Sequence, residues 1–120
     1  YVHARICSIG RKAAEEKNIS RIRWNEENIQ WIKEPEEIQL IRHLVRFPET
    51  VRSSAEMMEP HRITFYLMGL ASSFHAYYNK HKVLTDNPNL TEARLYLVSA
   101  VKQVIQNGLT LLGVSAPDQM

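Results

Sequence analysis

The chain has 120 residues, of which 44% are hydrophobic and 23% charged. That is enough for one globular domain with a real core and argues against a disordered or fibrous protein. A formal net charge of +2 makes it mildly basic, which permits a nucleic-acid partner without demanding one. A lone Cys7 excludes internal disulfides and fits a reducing compartment, so a cytoplasmic location is expected. No apolar run approaches the length of a membrane span.

Helical periodicity runs along the chain, with no sustained apolar–polar alternation. Val2, Ile6, Ile9 and Ala13 recur at helical spacing in a first helix that ends in the charged run Arg11 to Lys17. Residues 18–34 are polar, carry Trp24 and Trp31, and read as an irregular connection packed down by those rings. Pro35 suits the first position of a second helix, with Glu36 and Glu37 complementing its N-terminal dipole. The expected inward face is Ile38, Ile41, Leu44 and Val45. Pro48 opens a third helix with Val51, Ala55 and Met58 inward. Pro60 opens a fourth, reaching about Lys82, with Ile63, Leu67, Leu70, Phe74 and Tyr77 on one side. After the loop Thr85-Asp86-Asn87-Pro88 a last helix starts, with Asn89 as cap and Glu92 reaching back. Its stripe is Leu90, Leu97, Val98, Val101, Val104, Ile105 and Leu112, and Gly113 stops it. The expected fold is all-α, an antiparallel bundle of about five helices forming one domain over residues 1–120.

Motifs for catalysis are not found: there is no Gly-rich phosphate loop, no metal-spaced Cys/His set and no nucleophile elbow. Cys7 and His3 lie one helical turn apart, which a buried thiol beside a packed imidazole explains. The sequence therefore points to binding, with no cofactor and no metal expected in this domain.

Three groups of residues carry a family resemblance. The first is Tyr1-Val2-His3-Ala4-Arg5-Ile6-Cys7-Ser8-Ile9. The second is the ordered series Leu44-Val45-Arg46-Phe47-Pro48-Glu49, Glu59-Pro60-His61-Arg62 and Phe74-His75-Ala76-Tyr77-Tyr78-Asn79. The third is Ala93-Arg94-Leu95 with Asn107-Gly108-Leu109 and the tail from Leu112 to Met120. In order and spacing these resemble the C-terminal, DALR-type anticodon-binding domains of arginyl-tRNA synthetases, a branch of the helical domains shared by class I synthetases. Gly10 departs from the pattern, where a larger aliphatic residue is expected. The resemblance implies a fragment of a ligase that joins arginine to its tRNA. The ATP-using HIGH-like and KMSKS-like motifs would lie in a catalytic domain upstream of Tyr1. It also implies that the natural N-terminus precedes Tyr1 and that Met120 is a genuine terminus. Partners would be the anticodon loop and stem of tRNA and the catalytic domain of the same chain, in a monomer with no membrane contact.

Unstacked anticodon bases are read by stacking and by hydrogen bonds to their edges. At 100° per residue, Ser72, His75 and Asn79 share a flank of the fourth helix, with Tyr78 between that flank and the core and Lys82 nearby. The same pattern also describes a solvated helix face with a boundary Tyr. Tyr77 and Phe74 sit at core spacing, though the Tyr77 hydroxyl needs a partner. Arg46 and Arg62 are placed to contact phosphates, or to pair with neighbouring glutamates. Arg94 falls in an apolar stripe, where a buried carboxylate or a helix-end carbonyl is expected as its partner ahead of RNA. The resemblance implies that the tail brings Met120 close to a base. The expected tRNA-binding set is thus His75, Tyr78, Asn79, Lys82, Arg46, Arg62, Tyr77 and Met120. The alternatives are the equivalent domain of a cysteinyl or methionyl enzyme, or a helical protein-interaction module.

Overall fold

The computed structural model describes residues 2–16 and 26–113, and its regular elements are all helical. α1 spans Val2–Glu16, a short 3-10 helix spans Glu26–Trp31, α2 spans Pro35–Val45 and α3 Phe47–Glu56. α4 spans His61–Lys80 and α5 Pro88–Leu111. α4 packs against α2, α3 and α5, while α1 and the 3-10 helix lie on α5. Leu40, Leu70, Phe74, Tyr77, Leu95, Val98 and Val101 form the centre of the core, all 1% exposed or less.

Prolines and an asparagine set the boundaries, because each removes or replaces a backbone hydrogen bond at a helix end. Arg46 is the single residue between α2 and α3 and keeps near-helical angles, φ −84° and ψ −7°. Pro48 supplies no N–H to continue the α2 ladder, so the chain bends at Arg46. Asn87, not Asn89, caps α5: its Oδ1 accepts from the N–H of Asn89 at 3.0 Å and of Leu90 at 3.5 Å. Pro88 then occupies the first helical position. Part of the stretch expected to be irregular is the 3-10 helix, and Trp31 is half-buried within it; Trp24 lies outside the described residues.

Two helices present different faces from those expected. In α2 the buried residues are Glu37, Leu40 and His43, whereas Ile38 and Ile41 are each 36% exposed and Val45 is 69% exposed. The polar residues turn inward because each meets a partner there. The His43 ring bonds the Tyr66 carbonyl at 3.2 Å, and the Tyr66 hydroxyl donates to the His43 carbonyl at 2.6 Å. Burial pushes the Tyr66 hydroxyl up to about 12 and the His43 imidazole below its usual value. In α3 the buried residue is Ser54, whose hydroxyl donates to the Glu59 carbonyl at 2.8 Å. Ala55 is exposed. Met58 takes a left-handed φ of 53°, and it is 87% exposed rather than inward. In α4, Tyr66 joins the core and Leu67 sits at its edge.

Candidate functional site

The strongest polar feature is internal. Glu37 is fully buried, and each of its oxygens has a donor. Oε2 accepts from Arg94 Nε at 3.0 Å and from the Tyr77 hydroxyl at 3.3 Å, and Oε1 accepts the Glu34 N–H at 3.1 Å. Arg94 uses Nη1 to donate to the Lys82 carbonyl at 2.7 Å. Three helices and the α4–α5 connection therefore meet at one ion pair, and the buried carboxylate expected for Arg94 is Glu37. Burial, with the Glu37 carboxylate alongside, drives the Tyr77 hydroxyl far above its usual pKa, so it remains a neutral donor.

This corrects the expectation for Tyr77. Its residue surface is 0% exposed, its ring stacks on His81 at 5.4 Å, and its hydroxyl is committed to Glu37. No face of that ring is open to a base, and Tyr77 is a core residue.

The remaining candidates fall into separate places on the surface. Tyr78 and Lys82 come together: they line a cavity of about 420 Å³ with Ile9, Lys12, His81, Val83 and Leu84. One side of the Tyr78 ring stacks on Phe74, with centroids 5.7 Å apart, and the Arg5 guanidinium lies 5.5 Å from its centroid. Tyr78 thus joins α1 to α4 and offers this cavity an edge and a hydroxyl more readily than a bare face. Lys12 is exposed and brings a second lysine to the cavity. His81 is half-buried and bonds Glu36 at 2.7 Å, a contact that holds the Glu36 carboxyl below the usual carboxylate range. His75 is half-buried and Asn79 exposed on the outer face of α4, with the His75 ring 6.0 Å from that of Phe74.

Arg46 and Arg62 lie elsewhere. They line a cavity of about 450 Å³ between α3 and the first half of α4, with His43, Glu49, Thr50, Ser53, Phe65 and Tyr66. Met120 lies outside the described residues. Sequence reasoning missed Lys12 and Phe65. The second was within reach, because helical spacing from Asn79 through Ser72 and Met68 leads back to Phe65 on the outer face of α4.

Among the described residues no group of three or more His, Cys, Asp or Glu could hold a metal ion. No helix among them is long and apolar enough to cross a membrane.

The helical bundle, with its charge pair locked inside and its lysines, arginines and aromatic edges around α4, is of the class I synthetase anticodon-binding type. It superimposes on the arginyl-tRNA synthetase of Thermus thermophilus with a TM-score of 0.84 at 37% identity, covering all of this chain and 20% of that one. The chain belongs to the DALR anticodon binding domain family, whose sequence model matches residues 1–120. Among curated relatives, it is 60% identical over its whole length to an arginine–tRNA ligase of Desulfosudis oleivorans and 48% identical to one of Syntrophotalea carbinolica. The chain spans 22% of the length of each.

Proposed function

We propose that this chain recognises the anticodon loop of arginine tRNA as one helical domain, residues 1–120, of an arginine–tRNA ligase. Its partners would be that tRNA and the catalytic domain of the same polypeptide, which would bind ATP and perform the ligation. The carrying observation is the family match along the entire chain. Joined to the cavity where Lys12, Tyr78 and Lys82 converge, it favours the region around the C-terminal half of α4 as the recognition surface. His75 and Asn79 would read base edges, Tyr78 would offer a base its ring edge and hydroxyl, and Lys82 would meet phosphate, with Met120 close by. Arg46 and Arg62 would position the backbone from the other end of α4. Neither the binding step nor the fold calls for a cofactor. We place the parent enzyme in the cytoplasm as a monomer.

The test compares filter binding of an arginine anticodon stem–loop with one altered at the middle anticodon base. The matched RNA should bind more tightly, and binding should weaken as salt rises because phosphate neutralisation releases counterions. His75→Ala should cost on the order of 1–3 kcal/mol where its ring meets a base, and Asn79→Ala about 0.5–1.5 kcal/mol for a lost hydrogen bond. Equal affinity for both RNAs, together with unaffected variants of unchanged fold, would remove the anticodon reading.

A further inference from the structure

Phe65 is the most exposed aromatic ring among the described residues, at 65%. It stands on the outer face of α4, at the mouth of the cavity that Arg46 and Arg62 line. The His61 ring meets it edge to face, with centroids 5.8 Å apart and planes at 74°. That contact braces the ring without stacking over it. Arg46, at the α2–α3 bend, donates at 3.4 Å to His43 Nδ1 and has no carboxylate partner among the described residues. Arg62 gives its Nε to Glu59 at 2.7 Å, which leaves both terminal nitrogens for a ligand. Glu49, the acid in the lining, is occupied by Arg52, whose nitrogens approach it to 2.7–3.0 Å. Arg52 therefore spends its charge on Glu49 and Glu56, while Arg46 keeps its own. An open aromatic ring beside two guanidiniums with free N–H groups has the makings of a nucleotide site: a ring for a base and forks for a phosphate.

We propose that the α3–α4 cavity is a second contact point for single-stranded RNA. One base stacks on Phe65, and Arg46 and Arg62 hold the adjoining phosphate. The cavity volume of about 450 Å³ is in the range of small-ligand sites. Phe65 and Tyr78 are thirteen positions apart on one helix, or roughly 20 Å at 1.5 Å rise per residue. The two sites would thus engage nucleotides several positions apart on one strand. This inference rests on reading the chain as an RNA-binding domain.

The test uses the 120-residue chain with fluorescein-labelled oligoadenylate, a blunt RNA duplex and the arginine anticodon stem–loop, read by fluorescence anisotropy. Phe65→Ala should weaken oligoadenylate binding by about 5- to 150-fold, the loss of one stacked base, whereas Phe65→Trp should retain it. Duplex affinity should be unchanged by Phe65→Ala and reduced by Arg46→Ala with Arg62→Ala, which should also flatten the salt dependence. In NMR spectra, the Phe65 ring protons should move upfield as oligoadenylate is added, and should still do so in a His75→Ala, Asn79→Ala background. Static Phe65 resonances, or equal oligoadenylate affinity in Phe65→Ala, overturn this site even where the stem–loop still binds with anticodon preference. Failure of the unaltered chain to bind either RNA overturns this site and the anticodon reading together. Circular dichroism confirms the fold of each variant.

Discussion

Replacing Arg94 by Leu would leave the Glu37 carboxylate buried with no countercharge. Glu37 is 0% exposed and its ion pair with Arg94 spans 3.0 Å. Breaking such a pair from one side typically costs about 3–5 kcal/mol, because the surviving charge has lost its solvent and its partner. The Tyr77 hydroxyl and the Glu34 N–H would still reach the carboxylate, so the lower half of that range, roughly 3–4 kcal/mol, is expected for Arg94→Leu. Glu37→Leu should cost a comparable amount, because it strands the guanidinium. At about 4 °C per kcal/mol, each variant should lose roughly 12–16 °C in Tm. The double variant Glu37→Leu, Arg94→Leu buries no charge, so it should be more stable than the sum of the single losses predicts, by more than 1 kcal/mol. Urea denaturation of the four proteins closes the cycle. Single losses below 1 kcal/mol, or losses that simply add, would show that this pair does not hold α2, α4 and α5 together.

Two glycines in helices should respond in opposite directions to alanine. A Cβ at Gly10 meets nothing within 4 Å, so Gly10→Ala should gain about 0.5–1 kcal/mol from reduced unfolded-state entropy. A Cβ at Gly69 would stand 2.9 Å from His43 Cε1. That ring is held by the Tyr66 carbonyl, so Gly69→Ala should lose roughly 1–3 kcal/mol through overpacking; thermal unfolding of both variants decides. His43 gives a pH dependence. Its folded pKa lies below the unfolded value of about 6.5, so the unfolded state binds the proton more readily between the two. The stability from keeping His43 neutral is thus complete above about pH 6.5 and declines as pH falls through that value. Tm measured from about pH 7.5 to 5 should drop more in the unaltered chain than in His43→Gln, and equal drops would exclude His43 as the cause.

Helix number and order were legible in the sequence because Pro35, Pro48, Pro60 and Pro88 act locally at helix ends, although Asn87 and not Asn89 caps the last helix. The faces of α4 and α5 were also largely legible, since Leu70, Phe74, Leu97, Val98 and Val101 recur at helical spacing and do lie inward. The face of α2 was not. An apolar stripe through Ile38, Ile41 and Val45 outranks Glu37 and His43 by any local criterion. The inward turn of those two depends on partners 57 and 23 residues away, Arg94 and Tyr66. Met58 escaped for a different reason: its backbone conformation, not its hydrophobicity, sets its direction. At the candidate site the sequence brought forward His75, Tyr78, Asn79 and Lys82, which share one helix and its exit. It put Tyr77 at core spacing and Tyr78 at the edge of the flank, yet kept both in the binding set, because spacing does not reveal that Glu37 takes the Tyr77 hydroxyl. The burial of one and the edge position of the other follow from a 100° step around α4.

The Arg94 guanidinium also bridges two regimes of the molecule. Through Nε it balances a charge in the dry interior, and through Nη1 it fixes the Lys82 carbonyl on the surface. The exit of α4 is therefore anchored from within. A ligand that grips Lys82 meets a backbone already set in place and has little freedom left to remove. Loosening the interior pair would leave the contacts of such a ligand unchanged in kind while adding an ordering cost to its capture. Calorimetry would register that cost as a less favourable binding entropy at nearly constant enthalpy, a surface signature of a bond no ligand touches.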